Sequence, residues 1–202
     1  MNKTIIRDIF EGDSHVEYSV GEHEELTLVL ILSGDNKDVT AKVHLVGAGA
    51  KADILGFVVG KGSHMLALHT LQEHTAPETT SNLLVKGVLS DAAKFSYDGG
   101  IKVERKAQKT DAYQRNENLL LSKTASAESK PALEILANDV RCTHGATVGM
   151  VPKEQLWYLA TRGVPKDQAE RLIVTGFLHS ALEKIQSDDA RREVEKKLWQ
   201  IL

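Results

Sequence analysis

The chain has 202 residues and a mass of 22.2 kDa, enough to bury one sizeable core without help from disulfides or metal. A formal net charge of -3, with 42% hydrophobic and 26% charged residues, leaves no basic surplus for nucleic acid, and 5% aromatics is too sparse for base-stacking platforms. The single cysteine, Cys142, excludes an internal disulfide and a one-chain cysteine cage for zinc or a cluster, and it makes a reducing cytoplasm the expected compartment.

Met1 to Asp8 lacks the apolar stretch of a signal peptide. The longest apolar run, Leu28 to Leu32, is far short of the roughly 20 residues of a membrane helix, so no membrane partner is expected. From about residue 15 to 148 the chain reads as a succession of strands. Val39 to Leu45 alternates cleanly, with Val39, Ala41, Val43 and Leu45 on one face and Thr40, Lys42 and His44 on the other. Further strand-like runs are Leu26 to Leu32, Ala52 to Val59, Met65 to Leu71, Leu83 to Leu89, Ile101 to Glu104, Asn118 to Leu121 and Leu133 to Leu136. Gly47-Ala48-Gly49-Ala50 and Gly60-Lys61-Gly62 read as corners. This spacing suits an antiparallel sandwich and equally a β-helix with turns of roughly 20 to 25 residues, and periodicity alone does not choose between them.

After about residue 150 the period becomes helical. Pro152 opens a helix with Leu156, Leu159 and Ala160 on one side, which Gly163 stops. Pro165 opens a second, whose stripe is Ala169, Leu172, Ile173, Gly176 and Phe177, continued by Ala181 and Ile185. Ser187 or Asp188 caps a third carrying Ala190, Val194, Leu198 and Ile201. About 50 residues of helix are marginal alone, so this module must dock on the β body, a second copy or a partner.

Cys142 and His144 are the one nearby cysteine–histidine pair. On a strand, residues two apart share a face at about 6 to 7 Å, too far for a nucleophile–base hydrogen bond. Three readings stay open: a small buried hydrophobe, a nucleophile, or half of a metal site that a second chain completes. His64, His69 and His74 recur every five residues and read as solvent-facing or turn histidines; Glu22-His23-Glu24-Glu25 reads as a solvated turn. No phosphate-binding loop occurs, so any ATP must be handled by another subunit.

One stretch is more specific. Ala107 to Ser122, Lys130-Pro131-Ala132-Leu133-Glu134-Ile135 and Asn138-Asp139-Val140-Arg141-Cys142-Thr143-His144-Gly145-Ala146-Thr147-Val148-Gly149, in this order, closely resemble the SufB/SufD family of the SUF iron-sulfur assembly system. The match extends through Leu156-Trp157-Tyr158-Leu159, Arg162-Gly163-Val164 and Ala169 to Gly176-Phe177, and the Cys-x-His-Gly-Ala-Thr form looks like the SufD branch. Two departures stand out: Asn138-Asp139 replaces the family's paired aspartates, and the aromatic-x-Gly segment is expanded as Phe95 to Ile101. The resemblance implies a mainly β protein, a right-handed parallel β-helix over residues 1–150 with a small α-helical module over 151–202. Set against that family the sequence lacks the N-terminal region and several β-helix turns, as either a short member or a fragment, and its open first turn would need covering by a partner or by the segment near Ile5, Ile6 and Ile9.

By the same resemblance the chain is a SufD-like scaffold subunit and not an enzyme. Cys142 and His144 would lie at a dimer interface, as potential ligands shared with partner-chain groups. Leu156, Trp157, Tyr158, Arg162 and Phe177 would fall in the region that docks an ABC-type SUF ATPase. The partners implied are that ATPase and either a SufB-like chain or a second copy. No cofactor is expected to stay on this chain alone, and an iron-sulfur cluster would form transiently at the interface. The alternatives are an adaptor that recruits the ATPase without touching iron or sulfur, and a cysteine-dependent enzyme.

Overall fold

The computed structural model describes residues 2–8 and 14–202; Ile9 lies outside them. The strands are β1 (Asn2–Asp8), β2 (His15–Val20), β3 (Glu25–Ser33), β4 (Lys37–Leu45), β5 (Lys51–Gly60) and β6 (Met65–His74). They continue with β7 (Thr80–Leu89), β8 (Lys94–Val103), β9 (Thr110–Leu120), β10 (Ser126–Ile135) and β11 (Val140–Met150). Successive strands alternate between two sheets, ordered β1-β3-β5-β7-β9-β11 and β10-β8-β6-β4-β2, and every pairing is parallel. This is a parallel β-solenoid: Thr27, Asp53, Asn82 and Tyr113 stack across rungs of the first sheet, and Val39, Leu68 and Tyr97 across the second. The sandwich alternative is thereby excluded.

The rungs are longer than the expected 20 to 25 residues, since the cross-rung neighbours Asp53 and Asn82 are 29 apart in the chain. The reason is that Ile101, Asn118 and Leu133 belong to the closing segments of β8, β9 and β10. The earlier halves of those strands carry Gly, Pro, Asn and charged residues that hide the alternation. β1 pairs with β3, so Ile5 and Ile6 do cover the first rung of that sheet.

Left-handed backbone occurs at two corners, at Asn36 and Asp91 on one and rung after rung on the other. His23, Gly49, Glu78 and Lys109 occupy equivalent left-handed positions, with φ of 52, 68, 58 and 60°. Each donates its N–H to a carbonyl of the next rung: Ala48, Pro77, Gln108 and Asp139, at 3.0, 3.2, 2.9 and 2.5 Å. For the three that are not glycine the left-handed conformation costs roughly 1 kcal/mol each, and a hydrogen bond that would otherwise be lost offsets it.

The two sheets differ in what covers them. The second alternates buried and partly exposed along β4, β6 and β8, because its outer face meets water. The first is buried on both faces along β3 and β5, which accounts for the unbroken run Leu28 to Leu32. Inward, Leu28, Leu30 and Leu32 join the solenoid core; outward, Val29, Ile31, Leu55, Phe57, Val59 and Val88 meet the helices.

Those helices are α1 (Lys153–Thr161), α2 (Lys166–Leu182) and α3 (Asp188–Ile201). Pro152 and Pro165 hold the N-cap positions of the first two, Gly163 turns at φ 78° between them, and the Ser187 hydroxyl accepts from the Ala190 N–H at 3.3 Å. The module docks on the β body: α2 lies against β7, and α3 against β1 and β3. The buried stripe of α2 differs from the expected one. Ala169, Val174, Leu178, Ala181 and Leu182 are buried, whereas Leu172 is 55% exposed. Packing on the outward residues of the first sheet selects the row one residue round the helix. Val174→Ala should therefore cost about 2 kcal/mol and, in hydrogen exchange, loosen α2 and α3 before the strands.

Candidate functional site

The solenoid ends on β10 and β11. Each pairs on one side only, β10 with β8 and β11 with β9, which leaves a backbone edge on each sheet. Pro131, opposite Gly99, has no N–H to give a further strand and is compatible with an edge. The inward side chains of this last rung have no rung above them. Leu133, Ile135 and Val148 are 37%, 38% and 45% exposed, an apolar rim open to solvent.

Cys142 and His144 stand in that rim, on the inward face of β11, opposite Ala112 and Gln114. They share a face, as the strand geometry requires, and no hydrogen bond joins them. Cys142 is half-buried against Ile101, Val103, Ala107, Ala112 and Ala137; His144 is exposed and has no polar partner among the described residues. On the opposite face of the strand Arg141 grips Asp111 in a fork, Nε–Oδ1 3.0 Å and Nη2–Oδ2 2.5 Å, fixing the register of β11 on β9.

Burial, reinforced by the Asp111 carboxylate, raises the Cys142 thiol above its ordinary value. This is the opposite of what an activated nucleophile needs. Iodoacetamide at pH 7.5 should label Cys142 more slowly than a free thiol, with the rate rising as the pH is raised. Among the described residues no three or more His, Cys, Asp or Glu side chains are gathered to hold a metal ion. Cys142 and His144 can supply two ligands between them.

The interior changes character directly beneath this rim. Gln114, Asn116 and Asn118 take the inward places that Leu83, Val85 and Gly87 hold one rung earlier. Gln114 donates to the Gly99 carbonyl at 3.1 Å, Asn116 to the Val85 carbonyl at 3.3 Å, and Asn118 to the Asn116 amide oxygen at 2.6 Å. A Cβ at Gly87 would come 2.4 Å from Asn118 Oδ1, so that glycine makes room for the amide. The alternation Ala112, Gln114, Asn116, Asn118 was the available signal for this polar row, but its side chains do not read as a buried face.

The remaining histidines divide. His69 lies outside the second sheet between Asp38 and Asp98, at 3.2 Å from each, and His64 sits beside the corner near Asp35. His44 bridges Glu17 and Glu73 across rungs at 2.8 and 2.7 Å. Hydrogen bonds from His15 and then His44 hold the Glu17 carboxyl below its usual range, and Lys102 foremost does the same for Glu73. His74 departs from the solvent-facing expectation: it is fully buried inside the solenoid.

In the helical module, Trp157 is 70% exposed, and Tyr158 and Arg162 are exposed with the guanidinium 5.3 Å from the ring. Leu156 is half-buried. Phe177 faces inward, its ring 4.1 Å from the Lys86 ammonium on β7. A groove of about 390 Å³ between α1 and α2 is lined by Glu154, Gln155, Tyr158, Leu159, Leu172 and Ile173.

A parallel solenoid with a docked helical module and a Cys-x-His-Gly-Ala-Thr strand at its open end defines a class of protein by architecture and motif together. The chain belongs to the SufB/SufD family: the family model for the SUF system FeS cluster assembly SufBD core domain matches residues 14–177, running through the solenoid into α2. It is 37% identical over 133 residues to the iron-sulfur cluster assembly protein SufD of Escherichia coli, covering 66% of this chain and 31% of that protein. With SufD of Bacillus subtilis it shares 32% over 182 residues, 90% of this chain and 40% of the relative. An iron-sulfur cluster assembly SufBD family protein of Mycobacterium tuberculosis is 34% identical over 175 residues, 83% of this chain and 44% of the relative. The chain thus spans less than half the length of these curated relatives. The matched family is that of SUF iron-sulfur cluster assembly, and no described helix is long and apolar enough to cross a membrane.

Proposed function

We propose that this chain acts in the cytoplasm as a SufD-like scaffold subunit, pairing through the open end of its solenoid with a SufB-like chain or a second copy. The observation that carries this is the placement of Cys142 and His144 on the inward face of an unpaired terminal strand, within an uncovered apolar rim. A partner laid against β10 and β11 would bury Leu133, Ile135 and Val148 and bring its own ligands to the two residues. A nascent iron-sulfur cluster, the cargo, would be held there by both chains and released from neither alone. The chain performs no catalysis in this scheme. Energy comes from an ABC-type ATPase docked on the exposed face of α1, where Trp157, Tyr158 and Arg162 present apolar area and charge beside the groove.

Anaerobic reconstitution with the SUF ATPase and the SufB-like chain tests the proposal by measuring iron and acid-labile sulfide. The Cys142→Ala, His144→Ala double variant should fall to the yield seen without this chain. Undiminished yield would remove the two residues from cluster formation, leaving an adaptor that only recruits the ATPase. Trp157→Ala with Tyr158→Ala should abolish co-purification of the ATPase, and unchanged co-purification would remove α1 from its docking surface.

A further inference from the structure

The module covers only part of the outer face of the first sheet. Between α2 and the strands opens a cleft of about 610 Å³, on the outward face of the sheet, whereas Cys142 and His144 face inward on the neighbouring strand β11. Asp53, Asn82, Tyr113 and Arg115 line it from the sheet and Lys184 from the module, and Leu84 lies between them.

The charges in this cleft do not cancel. Glu117 has both oxygens engaged, Oε2 with Lys86 Nζ at 2.7 Å and Oε1 with Arg115 Nε at 2.6 Å. Lys86 is buried and also lies over the Phe177 ring, so its charge is fully used in fastening α2 to β7. Asp53 accepts a hydrogen bond from the Asn82 amide at 3.1 Å, which leaves its negative charge in place, so three cations against two carboxylates give the cleft one surplus positive charge. What remains is the outer edge of the Arg115 guanidinium, whose contact is a long 3.5 Å to the Tyr113 hydroxyl, and the Lys184 ammonium, which has no carboxylate within ion-pair distance among the described residues. Two cationic groups with donors to spare therefore border one space, one on the body and one on the module.

We propose that this cleft binds a small organic phosphate, its phosphoryl group shared between Arg115 and Lys184 and its body lying against Leu84 and the Tyr113 ring. A phosphate monoester carries close to two negative charges near neutral pH and three acceptor oxygens, so it can satisfy both cations at once, whereas a monocarboxylate satisfies one. The volume is several times that of a bare phosphate and falls within the range of small-molecule sites, roughly 300 to 1,000 Å³. A ligand held from both sides would also tie the module to the solenoid, since the turn after α2 and the sheet each contribute one contact.

Isothermal titration at fixed ionic strength, with phenyl phosphate, inorganic phosphate and sodium sulfate as separate titrants, tests the site. Phenyl phosphate should bind at one saturable site and about tenfold more tightly than inorganic phosphate, and saturation should slow amide exchange in α2. Lys184→Glu, at a position the fold does not use, should weaken that binding by about tenfold or more while moving the ligand-free melting temperature by no more than about 2 °C. Absence of saturable phenyl phosphate binding, equal binding of inorganic phosphate or sulfate, or undiminished binding by Lys184→Glu would each overturn the assignment.

Discussion

Gly47→Ala is expected to remove on the order of 4 kcal/mol of folding stability, at the severe end for a single methyl group. A Cβ at this corner would lie 1.9 Å from the Glu22 backbone nitrogen and 2.4 Å from the Glu22 Cα. Backbone cannot swing aside as a side chain does. Relieving the clash means prising apart the β2–β3 corner from the β4–β5 corner, where the Val46 and Gly47 N–H groups both reach the Val20 carbonyl at 3.0 and 3.3 Å. Gly62→Ala is the matching control. Its φ is 57°, but nothing lies within 4 Å of the added methyl, so the cost should be about 1 kcal/mol, from the left-handed backbone alone. Urea unfolding of the two variants beside the unmodified chain checks the contrast. Equal midpoints for the two variants would mean that the corners yield more readily than their geometry allows.

Mild acid should destabilise the fold through His74, by about 3 kcal/mol between pH 7 and pH 4. The imidazole is buried between two hydroxyls, Nδ1 at 2.7 Å from Thr79 Oγ1 and Nε2 at 2.8 Å from Ser81 Oγ. The Thr79 hydroxyl can donate to the Ala76 carbonyl, 3.2 Å away, and accept from Nδ1–H; Ser81 then donates to Nε2. That arrangement satisfies a neutral ring and offers no carboxylate to a charged one. Desolvation accordingly lowers the His74 value from 6.5 to about 4. As the pH falls below 6.5 the unfolded chain takes up a proton that the folded chain refuses, so stability is complete above 6.5 and declines until about pH 4. The depressed carboxyls of Glu17 and Glu73 act in the same direction, but only as the pH drops through their own lower range. Chemical unfolding at pH 7.0, 5.5 and 4.5 should show the decline, and His74→Asn should abolish most of it above pH 4.5. An unchanged slope in His74→Asn would assign the acid sensitivity elsewhere.

How legible each part was depended on what covers each face. Val39, Ala41, Val43 and Leu45 announce β4 because water lies on one side of that sheet and core on the other. Leu28 to Leu32 shows an apolar run without alternation, since its outward residues are claimed by helices more than a hundred residues further along the chain. β9 shows the reverse problem. Its inward Gln114, Asn116 and Asn118 are buried polar groups, so a pattern built on hydrophobicity finds only the closing Asn118 to Leu121. Cys142 and His144 could be placed on one strand face from their spacing, but their position at an open end depends on rung order, which no local pattern encodes. The fork between Arg141 and Asp111 and the bridges of His44 to Glu17 and Glu73 join residues about 30 apart, and they become visible only once the rungs are stacked.

The docking of α2 and α3 on the earliest strands has a consequence for how the chain is made. Val29, Ile31, Leu55 and Phe57 leave the ribosome long before Val174, Leu178, Val194 and Leu198, which cover them. At about 5 to 20 residues per second the wait is on the order of ten seconds. Throughout it the nascent chain displays a broad greasy face, attractive to chaperones and to other nascent chains alike. The last fifty residues are thus the lid that the first rungs wait for. A stalled or truncated translation product lacking them should be the species most prone to aggregate in the cell.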